Sequence, residues 1–342
     1  SFLALSKAEK ITALWALSES TLGGLLHALK LPFRGMIISS VAIILIGMIA
    51  KFSDKRGQII KSTLLVIFIK ATISPHSPVM AYLSVFLQGL LGELFFFSQK
   101  IRLLSALLLG ISVSLLNGFQ RIFVLTIIYG NTLWKTIDDL LNYIAKEWLL
   151  FNISNPVEFS FYLISIYVVT HLIIGIATGI LAYTVPKSVE EKLKEPSIFI
   201  PFTDSPSAEQ NIAKPKKRKW LKPSAMAIFI LSIVLIVLSY FYPLSNSIDI
   251  NAILIMLGRS VLIMIIWFYF LAPRLTNYLK KYFHKKQGKY ARDINSILTS
   301  VPTLKRLVEA AWKSSSNFNG IRRLNLFLIT LLVYLLNDYQ SN

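Results

Sequence analysis

The chain has 342 residues, of which 54% are hydrophobic and only 15% are charged, and its mean hydropathy is +0.60. Water-soluble domains carry about 25% charged residues, so this composition, with its apolar residues in long blocks, excludes a water-soluble globule. The absence of cysteine excludes disulfides and cysteine-bound metal, and the net charge of +19 lies in loops beside apolar blocks, where it indicates contact with membrane lipid and no nucleic-acid partner.

Apolar blocks separated by turn signals predict six membrane-spanning helices in the first part of the chain. Continuous apolar runs of about 20 residues are typical of helices that cross a bilayer. The predicted spans are residues 11–29, 35–51, 58–73, 78–97, 101–130 and 157–184. Between the last two, residues 134–150 have apolar residues at helical spacing and predict an amphipathic helix at the membrane surface.

The second part of the chain begins with a change of composition. Residues 187–223 are rich in Pro and Lys and predict a cytoplasmic linker. Residues 224–243 and 251–272 predict two further spans, followed by a basic, largely helical stretch over 274–323. The last apolar block, 324–336, is short for a span and predicts a packed or surface helix, with a third span as the alternative.

The predicted fold class is therefore all-α, a polytopic helical membrane protein. A six-helix bundle at 1–186 and a linker at 187–223 precede a two-span unit with cytoplasmic amphipathic helices at 224–342. Lys and Arg are retained on the cytoplasmic side, and they are concentrated in the connections that follow the second, fourth, sixth and eighth spans. Of the other connections, the first contains Lys30 and Arg34, and the loop at 74–78 has neither Lys, Arg, Asp nor Glu. Both termini are therefore predicted to be cytoplasmic.

Small residues recur at every fourth position in two spans and would form one face of each helix. Such faces let helix backbones approach closely in lipid, either inside the bundle or against a partner subunit. In the fifth span the residues are Ala106, Gly110, Ser114 and Gly118. In the first span the candidate partner-docking residues are Ala16, Ser20, Gly24 and Ala28.

Polar side chains inside spans are costly and are seldom present without a partner or a function. Eight residues are candidates for substrate binding. Each polar one could be a structural group with its hydrogen bonds satisfied, but together they favour a ligand pocket open to the outside. Lys70 and Arg121 would attract a carboxylate or phosphate, and the loop with Phe33 could close over the pocket or simply connect two helices. The candidate substrate-binding residues are His27, Phe33, Lys70, Gln88, Asn117, Gln120, Arg121 and His171.

Glu19 and Glu93 are acidic residues within the predicted spans. They could pair with a base on the cytoplasmic side, or one could relay protons. The histidines are too scattered for a metal site, and the sequence has no phosphate-binding glycine loop and no nucleophile elbow. We therefore expect no catalytic residues, no metal, no cofactor and no enzymatic activity, and any ATP would be hydrolysed by another subunit.

The first unit resembles the substrate-binding components of energy-coupling factor (ECF) type vitamin transporters. The resemblance rests on the six-span pattern, the small-residue first helix and three local sequences: Leu31-Pro32-Phe33, Gln88-Gly89-Leu90-Leu91-Gly92-Glu93, and the last span with His171, Gly175 and Gly179. It implies docking of the first helix on a transmembrane coupling subunit through an Ala-x-x-x-Ala face, for which this chain has Ala16, Ser20, Gly24 and Ala28. The second half is only faintly similar to such a coupling subunit, because Tyr290-Ala291-Arg292-Asp293 matches its Ala-Arg-Gly signature in part.

The leading hypothesis is a component of the prokaryotic cytoplasmic (inner) membrane that captures a small vitamin-like solute from outside for ATP-driven uptake. The two cations favour an anionic group on that solute, and an ECF coupling subunit and ATPases are the expected partners in trans. The main alternative is a membrane scaffold that recruits partners through its basic C-terminal region without transport. A membrane enzyme ranks third.

Overall fold

The structure is a computed structural model that describes residues 5–22, 34–53, 55–74, 79–97, 102–147, 156–194 and 272–337, together with single positions between 254 and 263. Throughout these residues the regular structure is helical, and no strand is present. The candidates Gly24, His27, Ala28 and Phe33 lie outside the described residues, as do the span predicted at 224–243 and most of the linker and of the span at 251–272.

The described helices follow the predicted apolar blocks. In chain order they are α1 (Lys7–Leu17), which a π-helical turn over Ser18–Leu22 continues, α2 (Arg34–Phe52), α3 (Gln58–Ile73), α4 (Val79–Phe95), α5 (Leu103–Tyr129), α6 (Asn131–Glu147), α7 (Phe159–Leu193), α8 (Ala272–Ser314) and α9 (Gly320–Leu336). Helix α7 continues past the predicted end at 184 and through Pro186. The amphipathic segment predicted at 134–150 corresponds to α6.

Three of the described helices are long and apolar enough to cross a membrane: Gly35–Phe52, Leu103–Tyr129 and Phe159–Leu193. A shorter apolar helix covers Met80–Phe95. Many large apolar side chains on α4, α5 and α7 are exposed, including Leu94 at 65%, Leu104 at 67% and Ile166 at 65%. Exposed apolar surface of this extent is typical of a lipid-facing or partner-facing surface. The all-helical prediction is confirmed and the membrane assignment is supported, whereas the six-span count and the orientation stay predictions.

The chain divides into two compact units. The first comprises residues 1–128, 162–198 and 261–342, and the second comprises 129–161 and 199–260. In the described part of the second unit, α6 fixes the start of α7 through its polar side chains. The Asp138 carboxylate accepts hydrogen bonds from Ser160 N at 2.5 Å and Ser160 Oγ at 2.8 Å. The Asn142 side chain accepts from Val157 N at 2.9 Å and donates to its carbonyl at 2.7 Å.

Helix α1 is the centre of the first unit. It begins with a reciprocal cap, in which Ser6 Oγ accepts from Glu9 N at 3.3 Å and the Glu9 carboxylate accepts from Ser6 N at 2.9 Å. From Lys10 onward every side chain of α1 is buried, and the helix packs against α2, α3, α8 and α9. A helix that is buried on all sides over most of its length occupies a core position, so α1 is an inner helix.

Two side-chain contacts show that α1 and α3 run parallel. Thr12 Oγ1 donates to Ser62 Oγ at 2.7 Å, and Lys70 Nζ donates to Glu19 Oε2 at 2.7 Å, so residue numbers rise in the same direction in both helices. The ionic side chains are almost fully buried, with 8% of Lys70 and 2% of Glu19 exposed. Glu19 thus has a basic partner, which is one of the two interpretations that the sequence left open, and that partner is Lys70.

Glu93, the second acidic residue considered with Glu19, caps the start of α3. Its carboxylate accepts hydrogen bonds from Gly57 N at 2.7 Å and Ile60 N at 3.3 Å. The first backbone amides of a helix have no partner within the helix, so a carboxylate there is stabilising. Gly57 has φ 77°, a left-handed conformation that glycine adopts without strain. The sequence suggested a basic side chain as a possible partner of Glu93. In the structure its carboxylate instead accepts hydrogen bonds from backbone amides.

Small residues bring α5 and α7 into close contact. A Cβ atom added to Gly110 would lie 2.2 Å from the carbonyl oxygen of Gly175, and one added to Gly179 would lie 2.8 Å from that of Ala106. Ser114 Oγ donates to the His171 carbonyl at 2.7 Å. Numbers rise along one helix as they fall along the other, so the two helices are antiparallel. Of the two interpretations of the fifth-span face, internal packing is the one seen here.

The C-terminal helices pack in the same unit as α1 and α3. Helix α8 buries Ile294, Ile297 and Leu304, and its Asp293 forms an ion pair with Lys61 at 2.8 Å. The end of α9, residues 331–336, is buried, in agreement with a packed helix. The basic C-terminal stretch is therefore helical, as predicted, and contributes to the core around α1.

The buried ion pair should be strongly coupled. Replacing one partner, as Glu19→Gln or Lys70→Met, leaves a buried charge without its counterion and should cost about 3–5 kcal/mol. The double variant should cost far less than the sum, because it leaves neither charge. Thermal unfolding of the four proteins in the same detergent measures this. Additive losses would show that the two side chains do not interact.

Close packing of α5 on α7 makes Gly110 sensitive to size. Gly110→Ala would force two backbones apart and should lower the free energy of unfolding by about 1–3 kcal/mol. Gly35→Ala is the matched control, since a Cβ at Gly35 meets nothing within 4 Å. Thermal unfolding of both variants measures the difference, and equal melting temperatures would contradict the close approach.

Candidate ligand-binding cavity

A cavity of about 390 Å³ lies between α4 and α5. Its volume falls within the range of about 300–1,000 Å³ that is usual for small-molecule sites. Both walls belong to the first compact unit. The lining residues are Met80, Leu83, Ser84, Leu87 and Gln88 on α4, and Val113, Leu116, Asn117, Phe119, Gln120, Phe123 and Val124 on α5.

Helical periodicity explains why these side chains meet. The lining positions of α4 are 80, 83, 84, 87 and 88, which is the spacing of one face of an α-helix. On α5 the positions 113, 116, 117, 120, 123 and 124 follow the same spacing. One face of each helix therefore builds one wall of the cavity, and both faces combine a few polar side chains with many apolar ones.

Among the lining residues that the structure describes, the polar groups are two amides and a third amide paired with a hydroxyl, and none of these residues is charged. Ser84 Oγ donates to Gln120 Oε1 at 3.0 Å. Asn117 is partly buried. Gln88 is only 5% exposed, and within the described part of the chain no group hydrogen-bonds to its Oε1. A buried carbonyl oxygen without a donor is costly and needs an explanation, for which a ligand is one candidate.

Three of the predicted substrate-binding residues are brought together here, namely Gln88, Asn117 and Gln120. Three others have described positions elsewhere. Lys70 is engaged by Glu19. His171 is 2% exposed at the contact of α5 and α7, where its Nδ1 lies 2.9 Å from the Tyr167 carbonyl oxygen. Arg121 is exposed on α5 and is not among the lining residues. Roles for these three in binding stay predictions.

The candidate docking face is described only in part. Ala16 is fully buried inside the chain's own core, and Ser20 lies in the π-helical turn, where its Oγ donates to the Ala16 carbonyl at 2.7 Å. Ala16 therefore contributes to internal packing. Docking of a partner through this face stays a prediction, because Gly24 and Ala28 lie outside the described residues.

Sequence reasoning did not identify Ser84 or the apolar wall of the cavity. It searched the spans for ionisable and amide side chains, and a serine in an apolar helix carries little signal because it can bond to its own backbone. One signal was available: Ser84 and Gln88 are four residues apart on α4, and Asn117 and Gln120 three apart on α5. Polar pairs at helical spacing on two successive spans predict a shared polar site.

The chemistry available in the cavity is binding by shape, apolar contact and uncharged hydrogen-bonding groups. In the ranges that the structure covers, no group of three His, Asp or Glu side chains could hold a metal ion. Comparison of the chain with family models, with curated proteins and with solved structures gives no match.

Because Gln88 Oε1 is buried without a hydrogen-bond donor among the described residues, removing the Gln88 amide should not destabilise the ligand-free protein. Gln88→Leu removes a buried oxygen without a partner and should leave the ligand-free protein as stable or up to about 1 kcal/mol more stable. Gln120→Leu breaks the bond from Ser84 and should cost about 1 kcal/mol. Thermal unfolding of both in ligand-free detergent compares them. An equal loss in both variants would mean that Gln88 has a structural partner.

Proposed function

We propose that this chain is a membrane-embedded capture component that binds a small solute in the cavity between α4 and α5 for uptake. The observation that carries the proposal is the buried Gln88 Oε1 without a donor at the wall of a ligand-sized cavity. Buried polar groups are normally satisfied. An unsatisfied one, beside two further amides, is what a binding site awaiting its ligand would contain.

The helix pattern and the local sequences that resemble ECF substrate-binding components support uptake as the purpose of capture. In such a system the solute binds from outside, and the component reorients against a coupling subunit to release the solute inside. ATP would be hydrolysed by partner ATPases, since this sequence has no phosphate-binding glycine loop. Residence in a prokaryotic cytoplasmic membrane, with both termini inside, belongs to the same proposal.

A retained small molecule tests the proposal. The full chain, purified from its native membrane in a mild detergent, should carry a small molecule that mass spectrometry detects after denaturation. Gln88→Leu and Asn117→Leu should reduce the retained amount about two- to tenfold, since each removes a hydrogen bond of about 0.5–1.5 kcal/mol.

Gln58→Leu is the matched control for this measurement. Gln58 begins α3, its side-chain amide lies 3.5 Å from Ser62 Oγ, and it does not line the cavity. The control should retain as much of the molecule as the wild type. A wild-type protein that carries no small molecule beyond phospholipid and detergent would contradict capture.

A further inference from the structure

The cavity opens at an exposed, apolar part of the protein surface. Five of its lining residues are large, apolar and exposed: Met80 at 36%, Leu83 at 45%, Leu116 at 42%, Phe119 at 50% and Phe123 at 66%. They lie on α4 and α5, and α5 is one of the helices long and apolar enough to cross a membrane. In a bilayer such side chains contact hydrocarbon, so a molecule dissolved in the membrane has a direct route to the cavity.

The polar end of the site lies deep along the helix. Gln88 is nine residues from the first residue of α4 and seven from the last. With about 1.5 Å of rise per residue, it is more than about 10 Å from either end. Asn117 and Gln120 likewise lie in the interior of α5. The hydrogen-bonding groups are therefore surrounded by apolar side chains at a depth where water is scarce.

The residues around the cavity select against charge. None of the lining residues that the structure describes is Asp, Glu, Lys, Arg or His. An ion at this depth without a counter-charge is strongly disfavoured. The nearest candidate cation along α5, Arg121, is exposed and does not line the cavity, and Lys70 is neutralised by Glu19. The cavity as built suits an uncharged ligand.

We infer that the ligand is an uncharged, largely apolar molecule that partitions into the membrane, enters the cavity from the lipid side and donates a hydrogen bond to Gln88 Oε1. A hydroxyl or amide N–H is the donor that satisfies this oxygen. Apolar side chains of the outer wall hold the remainder of the molecule. The inference rests on the proposed capture function and assigns it a neutral, lipid-soluble solute, where the sequence favoured an anionic one.

Matched photoreactive probes test this inference on the full chain in phosphatidylcholine nanodiscs. One probe is a long-chain primary alcohol with a diazirine in the chain, and the other is the alkylsulfonate with the same chain and diazirine. After irradiation, labelled peptides are mapped by mass spectrometry. The alcohol should label the segments 80–88 and 113–124 saturably and be displaced by unlabelled alcohol, whereas the sulfonate should label them at least about tenfold less.

Variants connect the labelling to named residues. Gln88→Leu should weaken the apparent Kd for the alcohol about two- to tenfold, the value of one neutral hydrogen bond. Gln58→Leu, outside the cavity, should bind as the wild type does. Leu83→Trp narrows the cavity at its exposed edge and should reduce saturable labelling. Since Leu83 is 45% exposed, the larger side chain does not disturb the core.

Several results would overturn the inference. One is labelling that does not saturate and spreads equally over α4, α5 and α7, because this would reflect contact with the surrounding lipid only. Another is labelling by the sulfonate that is as strong as labelling by the alcohol. A further one is an apparent Kd for the alcohol that is unchanged in Gln88→Leu. A charged molecule retained by the wild type and lost in Gln88→Leu would overturn the neutral ligand but keep capture. Saturable alcohol labelling of a protein that retains nothing from its native membrane would keep the site and overturn capture.

Discussion

The ion pair between Glu19 and Lys70 fixes the central helix of the first unit. It joins the π-helical turn after α1 to the last turn of α3 at 2.7 Å, with both side chains almost fully buried. Two charges removed from water are stable only as a pair with good geometry, so this contact sets both the depth and the parallel direction of α1 beside α3. The contacts of α1 with α2, α8 and α9 are built on that placement. Only one carboxylate oxygen is engaged, since no described group bonds to Glu19 Oε1.

Around this centre the helices differ in what they face. Helix α1 is buried on nearly every side, whereas α4, α5 and α7 expose rows of large apolar side chains. Helices in lipid gain little from apolar contact with one another and instead associate through close backbone approach and hydrogen bonds. That is how α5 meets α7, through Gly110 and Gly175. The cavity lies where α5 meets α4 through large side chains, which cannot close the space between the helices.

The sequence predicted what depends on local pattern. Apolar blocks predicted α2 to α5 and α7. Polar side chains within the spans predicted one pocket for a larger set of residues, of which Gln88, Asn117 and Gln120 line the cavity. The partner of Glu19 was not predicted, because it depends on which helices are adjacent. The distance of each residue from the start of its helix could have indicated the pair. Glu19 lies twelve residues after Lys7, and Lys70 lies twelve residues after Gln58. The predicted first span began at residue 11 and not at residue 7, so the two distances did not match.

We propose that a ligand occupies the cavity between α4 and α5 and hydrogen-bonds to Gln88. An electron cryomicroscopy map of the full chain, purified in lipid nanodiscs from its native membrane, measures this most directly. We expect the map to contain discrete, ligand-sized density between the two helices, within hydrogen-bond distance of Gln88 Oε1. A cavity closed by inward movement of Met80 and Phe123, with Gln88 bonded to another side chain, would contradict it.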